Sequence, residues 1–406
     1  MVLRSEIEIS YLNQNLRRYT VREGTTREYL SHITRKSNHV QVLSGVRRCG
    51  KSTLMRQLIK KHGKNIAYFN FEDPRIFNFD LSDFQKLDEI MGKNVSAYFF
   101  DEIQNVASWE IFIRQLHDRG KKVYITGSNA SLLSKELGTR LTGRHLRHEI
   151  FPFSYVEVLK HKKWKHTLKN FEFYIQNGGF PEFLREENQE VLQLLLKDIV
   201  LRDIAVRYGI RNTKLLMDLT LHLISNVGKE VTHNKLAKSF QIGSANSVVN
   251  YLAWLEDTYL LFFLPRFSYS ARSIAINPRK VYAIDNGFIN ANSLSFNEDR
   301  GRLLENTVYL FLRQKSFDLY YFKENSECDF VLFEKGKCKM AIQVCDSIHD
   351  ENLKREVTGL TEAMVYFKLK EGFILTKNQK DELVIDKMKI HLVPAHEWMK
   401  TDKINP

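Results

Sequence analysis

Apolar and charged positions are interleaved through residues 1–38, where Ile7, Ile9, Leu12, Leu16, Tyr29, Leu30 and Ile33 recur among Arg4, Arg17, Arg18, Arg22, Arg27, Arg35 and Lys36. That recurrence predicts a helical lead-in packed beside the first domain rather than a flexible basic arm. From His39 the pattern changes to short apolar runs between amphipathic segments. It predicts strands over 40–43, 66–71, 96–100 and 122–126, and helices over 52–62, 81–91 and 109–118. Strands alternating with helices of this size imply a largely parallel sheet covered on both faces. The near-continuous apolar character of Val42-Leu43 and Tyr98-Phe99-Phe100 suits central strands.

Residues 150–215 read as helix-rich, with a basic, aromatic run (Lys160, Lys162, Lys163, Trp164, Lys165) and the punctuation Gly178-Gly179-Phe180-Pro181. Over 216–265 a helix is followed by a short one at 232–239, a turn at Gln241-Ile242-Gly243, a longer helix over 244–255 and an apolar strand at 260–264. That is the outline of a winged helix-turn-helix. Strand signals return at 280–284, 320–323, 328–333, 339–344, 364–367 and 372–376, with helices over 301–317 and 349–360, which predicts a second α/β domain.

Composition narrows the class without naming it. A chain of 406 residues corresponds to two or three domains. Hydrophobic residues at 43% and aromatics at 12% exclude a mostly disordered chain. Cys49, Cys328, Cys338 and Cys345 form no CxxC pair and no metal-ligand quartet, so neither a disulfide framework nor a structural zinc site is expected. No apolar stretch approaches the ~18 residues needed to span a bilayer. Glu6 and Glu8 precede any apolar run, unlike a secretory signal. The expectation is a cytoplasmic chain with no membrane span. Lys and Arg total 61 against 48 Asp and Glu, and the resulting +13 suits a polyanionic partner without identifying one.

The sharpest local signal is Gly45-Val46-Arg47-Arg48-Cys49-Gly50-Lys51-Ser52-Thr53, which contains the spacing G-x-x-x-x-G-K-[ST]. Glycines let the backbone wrap closely enough for successive amides to face phosphates. Lys51 then reaches the β- and γ-phosphates, and the Ser52 hydroxyl can ligate magnesium at the start of the next helix. The apolar strand at 97–100 ends in Asp101-Glu102. There Asp101 is expected to hold magnesium, directly or through water, and Glu102 to polarise the attacking water. The strand Val123-Tyr124-Ile125-Thr126 runs into Gly127-Ser128-Asn129, placing Ser128, or less favourably Asn129, to orient water against the γ-phosphate; turn chemistry accounts for the same letters.

Further motifs follow in order: Asp101 to Gln104 with Trp109, Gly143-Arg144 before Phe151-Pro152-Phe153-Ser154, Gly178 to Pro181, Arg202-Asp203, Tyr282 to Asp285 with Gly287, Leu304-Glu305-Asn306 and Asp329-Phe330-Val331. With the phosphate loop, this set resembles the prokaryotic P-loop ATPases of the AAA+ superclass that carry a C-terminal domain of unknown function, over roughly residues 20–385. The resemblance implies a RecA-like α/β core, a small helical lid, a winged-helix segment and a C-terminal domain of restriction-endonuclease-like fold. It also implies Arg140 or Arg144 as the arginine that senses or completes a nucleotide site, in cis or in trans. A guanidinium suits charge developing on a phosphoryl group, and a solvated surface arginine is the alternative.

Mapped onto this chain, the endonuclease pattern falls on Glu305, Asp329, Gln343 and Cys345, with Gln in place of a carboxylate and Cys in place of the lysine. Loss of a negative charge and of the ammonium predicts a degenerate metal site. Glu327 shares a face with Asp329 in a regular strand and is the candidate for a rebuilt one. Cys345 is expected to be a core thiol. In the winged-helix segment, Ser244, Asn246, Ser247 and Asn250 can reach bases or phosphates, but the stretch carries no Lys or Arg.

Together these features predict an α/β chain in four parts. They are a RecA/AAA+-like P-loop core with its lead-in over 1–150, a helical lid over 151–215, a winged helix-turn-helix over 216–275 and an endonuclease-like domain over 276–395. The expected activity is Mg2+-dependent hydrolysis of ATP, driving a switch or motor on a partner. Double-stranded DNA, a protein and further copies of the chain all stay open as that partner. The alternatives are a nucleotide-gated binding module with little turnover and a metal-dependent nuclease.

Overall fold

A computed structural model of the chain describes residues 1–20, 24–33, 37–63, 65–128, 141, 143–294, 299–315 and 317–400. It divides into two units, one of Met1–Phe151 with Asp257–Tyr259, the other of Pro152–Glu256 with Leu260–Pro406. Among the described residues no helix is long and apolar enough to cross a membrane.

The first unit is built on a parallel sheet of five strands in the order β2-β3-β4-β1-β5. The strands are β1 (Val40–Ser44), β2 (Ile66–Asn70), β3 (Ala97–Asp101), β4 (Lys122–Gly127) and β5 (His145–Glu149), accompanied by helices α1 (Arg4–Thr20), α2 (Lys51–His62), α3 (Asp83–Met91) and α4 (Trp109–Asp118). β1 and β3 are buried at every position, which is why their sequences show no alternation. The pattern did not foretell β5. It is an edge strand with one buried residue, His148, and polar edge strands read as loop. The lead-in is helical over α1 and buries Ile7, Leu30 and Ile33, yet within α1 Ile9, Leu12 and Leu16 are exposed. Polar bonds hold α1 as well: Gln14 accepts from the Asn70 N–H at 2.7 Å and donates to its carbonyl at 3.1 Å, and Ser10 donates to Asp73 at 2.6 Å.

The second unit opens with α5 (Tyr155–Lys162), α6 (Leu168–Asn177), α7 (Pro181–Glu186) and α8 (Glu190–Asp198), a π-helical stretch Ile199–Val206, and α9 (Thr213–Ile224). Then come α10 (His233–Ser239), α11 (Ala245–Asp257) and α12 (Ala271–Ile276). An antiparallel sheet in the order β6-β8-β7 joins Glu230–Val231, Arg279–Ala283 and Leu261–Pro265. After α13 (Asn286–Asn292) and α14 (Arg300–Arg313) follows a mixed sheet in the order β13-β14-β12-β11-β10-β9. Its strands are β9 (Asp318–Lys323), β10 (Glu327–Glu334), β11 (Lys337–Val344), β12 (Glu371–Thr376), β13 (Asp381–Ile385) and β14 (Met388–Pro394), with helix α15 (Asp350–Phe367) between β11 and β12.

One expectation fails here and one hairpin was not foreseen, each for an identifiable reason. The run 364–367 is not a strand but the last turn of α15, with Met364 buried and Val365 and Tyr366 exposed. Gly359 lets that helix press on β10, since a Cβ there would fall 2.0 Å from the Glu327 carbonyl oxygen. The hairpin β13–β14 went unforeseen because its turn places Asp386 and Lys387 in the left-handed region, at φ 47 and 66°, where glycine or asparagine is the usual signal.

The motif Gly178-Gly179 serves packing. A Cβ on Gly178 would fall 1.9 Å from the Asp285 carboxylate, which accepts from the Gly179 and Gly287 N–H groups at 2.6 and 2.8 Å. Asn286 and Asn306 complete this buried network: Asn286 donates to the Ile175 and Leu303 carbonyls, and Asn306 to Ala283 and Asn286.

Candidate functional site

In an open parallel sheet the loops leaving the carboxyl ends of the strands form the natural crevice. With β3 beside β4 and β4 beside β1, all parallel, the segments following β1, β3 and β4 share the carboxyl end of the sheet. The segment after β1 carries Gly45–Gly50, that after β3 Glu102–Asn105 and that after β4 Ser128.

The loop after β1 needs its glycines. A Cβ on Gly45 would fall 2.0 Å from the Ile150 carbonyl oxygen, and Gly50 turns into α2 at φ 102°. α2 begins at Lys51, so the unpaired amides of its first turn and the positive end of its dipole face the loop. The buried Lys51 ammonium donates to the Gly45 and Val46 carbonyls, each at 3.0 Å, and lies 4.0 Å from Glu102 Oε1. Behind the loop, the buried Arg27 guanidinium donates to the Cys49 carbonyl at 2.8 Å and the Phe151 carbonyl at 2.7 Å.

Asp101, at the end of β3, is fully buried. Its carboxylate accepts from the Thr126 hydroxyl, from the Tyr68 hydroxyl at 3.2 Å and from the Ser52 side chain. Burial pushes its pKa above the ordinary carboxylate value and the charge of Glu102 adds to that, while the Thr126 and Ser52 bonds and Lys51 pull it back. A cation near Asp101 would relieve the same cost. Glu102 turns the chain through the left-handed region at φ 52° with its N–H on Thr126 Oγ1 at 3.0 Å. Strain of this kind persists where the surroundings over-determine it. The Gln104 amide nitrogen donates to Glu102 Oε2 and, at 3.4 Å, to Ser128 Oγ.

The structure therefore brings Gly45, Val46, Gly50, Lys51, Ser52, Asp101, Glu102 and Ser128 to one end of the sheet. Around them Arg47 pairs with Glu72 at 3.5 Å, Arg48 takes a left-handed turn, and Thr53 accepts from Arg56 at 3.1 Å. The Cys49 thiol is buried on the Ile150 carbonyl at 3.3 Å, and burial raises its pKa. Arg144 is not brought to the loop. It precedes β5, whose first residue is level with Val40 at the start of β1, so it lies at the opposite end of the strands, 4.0 Å from Asp118. Arg140 and Asn129 lie outside the described residues. Sequence reasoning missed Arg27, Tyr68, Gln104 and Thr126 as members of the site. The motif Asp101 to Gln104 held a signal for Gln104; nothing local distinguished Arg27 from its neighbouring arginines.

Residues 37–159 match the family described as AAA domain, and residues 168–299 a domain of unknown function, DUF8612. An uncharacterized protein of Methanocaldococcus jannaschii is 38% identical over 397 residues, spanning 90% of this chain and 89% of its own. The chain belongs to that protein's family. A second relative, an uncharacterized protein of Haemophilus influenzae, is 29% identical over 77% of this chain and 85% of its own length. Among solved structures, AMPPCP-bound DnaA from Aquifex aeolicus aligns with 56% of this chain and 85% of its own at 14% identity and a TM-score of 0.30. The AAA-domain match contains all five strands of the parallel sheet and the loop after β1, and ends at residue 159, just inside the second unit; the DUF8612 match lies in the second unit except for Asp257–Tyr259.

The donor set fits a magnesium nucleotide. The glycine cradle leaves no room for side chains, a cationic side chain lines it, and a hydroxyl and a carboxylate stand together beside it. Among the described residues no group of three or more His, Cys, Asp or Glu is arranged to hold a metal alone. Magnesium bound through one or two protein oxygens together with phosphate is the usual case for such sites.

Proposed function

We propose that this chain binds ATP with magnesium, hydrolyses it to ADP and phosphate, and uses the nucleotide state to switch its engagement of a partner. The observation that carries the proposal is Lys51: a buried ammonium bonded to two loop carbonyls, beside amides that have no helical partner and a carboxylate at 4.0 Å. Such a site gains most from an anion that accepts from the ammonium and the amides together.

In this reading the amides of Val46 to Thr53 and the Lys51 ammonium bind the phosphates, and Ser52 and Asp101 hold the magnesium. When bound, magnesium supplies charge neutralisation at the phosphate oxygens. Glu102 orients the attacking water and accepts its proton. Gln104 keeps the Glu102 carboxylate aimed and ties it to Ser128, the residue assigned to the γ-phosphate. The proposal gives no role in this chain's own site to Arg144.

The same proposal reads α10, its turn and α11 with the small antiparallel sheet as a winged helix, and the six-stranded sheet with α14 and α15 as an endonuclease-like fold. Element order supports both. The Lys51→Ala variant should lose ATP binding. The Glu102→Gln variant should retain binding and lose turnover in a single-turnover assay, and unchanged hydrolysis there removes Glu102 from its role. Affinity capture with Glu102→Gln in ATP then identifies the partner as DNA, another protein or a second copy of the chain.

A further inference from the structure

Lys280 lies on β8 with its side chain 2% exposed. Its ammonium is 3.1 Å from Glu305 Oε1 on α14, 2.7 Å from Glu327 Oε1 on β10 and 2.8 Å from Asp329 Oδ1 on the same strand. An ammonium has three N–H donors, and three carboxylates surround this one. The same carboxylates accept elsewhere too. The Tyr282 hydroxyl donates to Glu305 Oε1 at 2.6 Å, the Val344 N–H to Asp329 Oδ2 at 2.9 Å, and Lys323 lies 3.1 Å from Glu327 Oε2. Burial alone would lower the Lys280 pKa, but Asp329 and Glu305 outweigh it and hold the group charged.

The cluster borders a cleft of about 1050 Å³ in the second unit, which Gln343, Cys345 and Arg355 also line. The motif positions expected to supply charge there do not. Gln343 is an amide bridge, accepting from the Asp329 N–H at 3.2 Å and donating to Glu356 at 2.7 Å. Cys345 donates its thiol hydrogen to the Ser347 carbonyl at 3.0 Å, and burial pushes its pKa up to about 11. The ammonium missing from position 345 is present after all, delivered by Lys280 from a strand 65 residues earlier in the chain.

We propose that Glu305, Glu327 and Asp329, which around the ammonium are not arranged to hold a metal, are gathered by Lys280 in the place of a divalent cation, so that the native chain takes no metal there and a chain lacking Lys280, free to draw the three together, does. Oxygens bind a hard divalent cation at about 2.0–2.6 Å. A nitrogen already 2.7–3.1 Å from all three carboxylates occupies that point. Without it, three carboxylates would share one site beside a solvent-filled cleft, and like charges so close must take up a proton or a cation. Three converging oxygens, with water available from the cleft, favour the cation. The inference is independent of the nucleotide reading.

The test is Mn2+ binding to the full-length, nucleotide-free chain at neutral pH, read by electron paramagnetic resonance. Wild type and Asp329→Ala should bind the same number of ions. Lys280→Ala should bind one more, and Lys280→Ala with Asp329→Ala should lose it. Should Lys280→Ala be poorly folded, Mn2+ should raise its melting temperature by about 5 °C, as a ligand specific to the folded state does, with no such rise in the double variant. A wild-type ion that disappears with Asp329→Ala overturns the proposal by showing that the ammonium does not hold the site. So does a Lys280→Ala chain that gains neither an ion nor stability from Mn2+.

Discussion

Two buried lysines, one in each unit, show what a chain does with a charge it has taken out of water. Lys51 meets two backbone carbonyls and a carboxylate at 4.0 Å; Lys280 meets three carboxylates within 3.1 Å. Desolvating an ammonium costs several kcal/mol, recovered only by good partners. At Lys280 the recovery is internal, through three carboxylates of the chain itself. At Lys51 the Glu102 carboxylate stands 4.0 Å away, which leaves room for the gain from an anion that the proposed function assigns to it. In the proposed reading the same residue type, equally buried, is a binding group in one place and a resident cation in the other, and the number of carboxylates around it decides which.

Variants can break this comparison, beginning with the largest effect. Glu102→Gln keeps the shape of the first site but removes the proton acceptor. Turnover should fall by about 10³-fold, the middle of the range for a general base, with ATP affinity retained in equilibrium binding. Next, Lys280→Met leaves three carboxylates without their cation and should cost about 3–5 kcal/mol in denaturant unfolding without divalent ions. Lys51→Met should cost about 1 kcal/mol or less in the same measurement while abolishing ATP binding. Equal losses of stability at the two lysines would show that the two ammonium groups are held alike.

A third buried group is kept neutral. Burial pushes the His148 pKa down to about 4; its ring lies 2.8 Å from Gln41 Oε1 and 3.3 Å from the Tyr29 hydroxyl. The unfolded chain takes up this proton near pH 6.5 and the folded chain near pH 4. Stability is therefore full above about pH 6.5 and declines by about 3 kcal/mol as pH falls to about 4. Melts of wild type and His148→Gln across that window should differ in slope, the variant being flatter. The smallest effect is assigned to Gln104→Ala, which frees Glu102 without removing it. Turnover should drop about 10-fold, near the effect of one hydrogen bond to a charged group, with KM unchanged. A change in KM alone would assign Gln104 to binding.

Much of the first unit was legible because its signals are local. The strands β1, β3 and β4 are central, buried at all but one position and mostly apolar, and the Gly45–Ser52 loop and the Asp101-Glu102 pair each occupy consecutive residues. β5 was not legible, because an edge strand with a single inward residue carries no period. Arg144 illustrates the same limit. Its position in sequence, soon after Ser128, suggested nearness to the loop, whereas β5 starts at the far end of the sheet. In the second unit the hairpin β13–β14 and the end of α15 were misread where left-handed turns without glycine and an apolar helix terminus mimic other states.

The sequence by itself determined the alternation of strands and helices, the glycine cradle with Lys51 and Ser52, and the two carboxylates that close β3. These depend on spacing along the backbone, and spacing survives in a string of letters. Tertiary structure decided that Arg27 clamps the loop from behind, that Gln104 links Glu102 to Ser128, that Arg144 lies away from the site, and that Lys280 fills the carboxylate cluster. Each of these joins segments brought together by strand order and by the direction in which strands enter the sheet. Hydrophobic periodicity records which face of an element is buried, but not which distant element covers it.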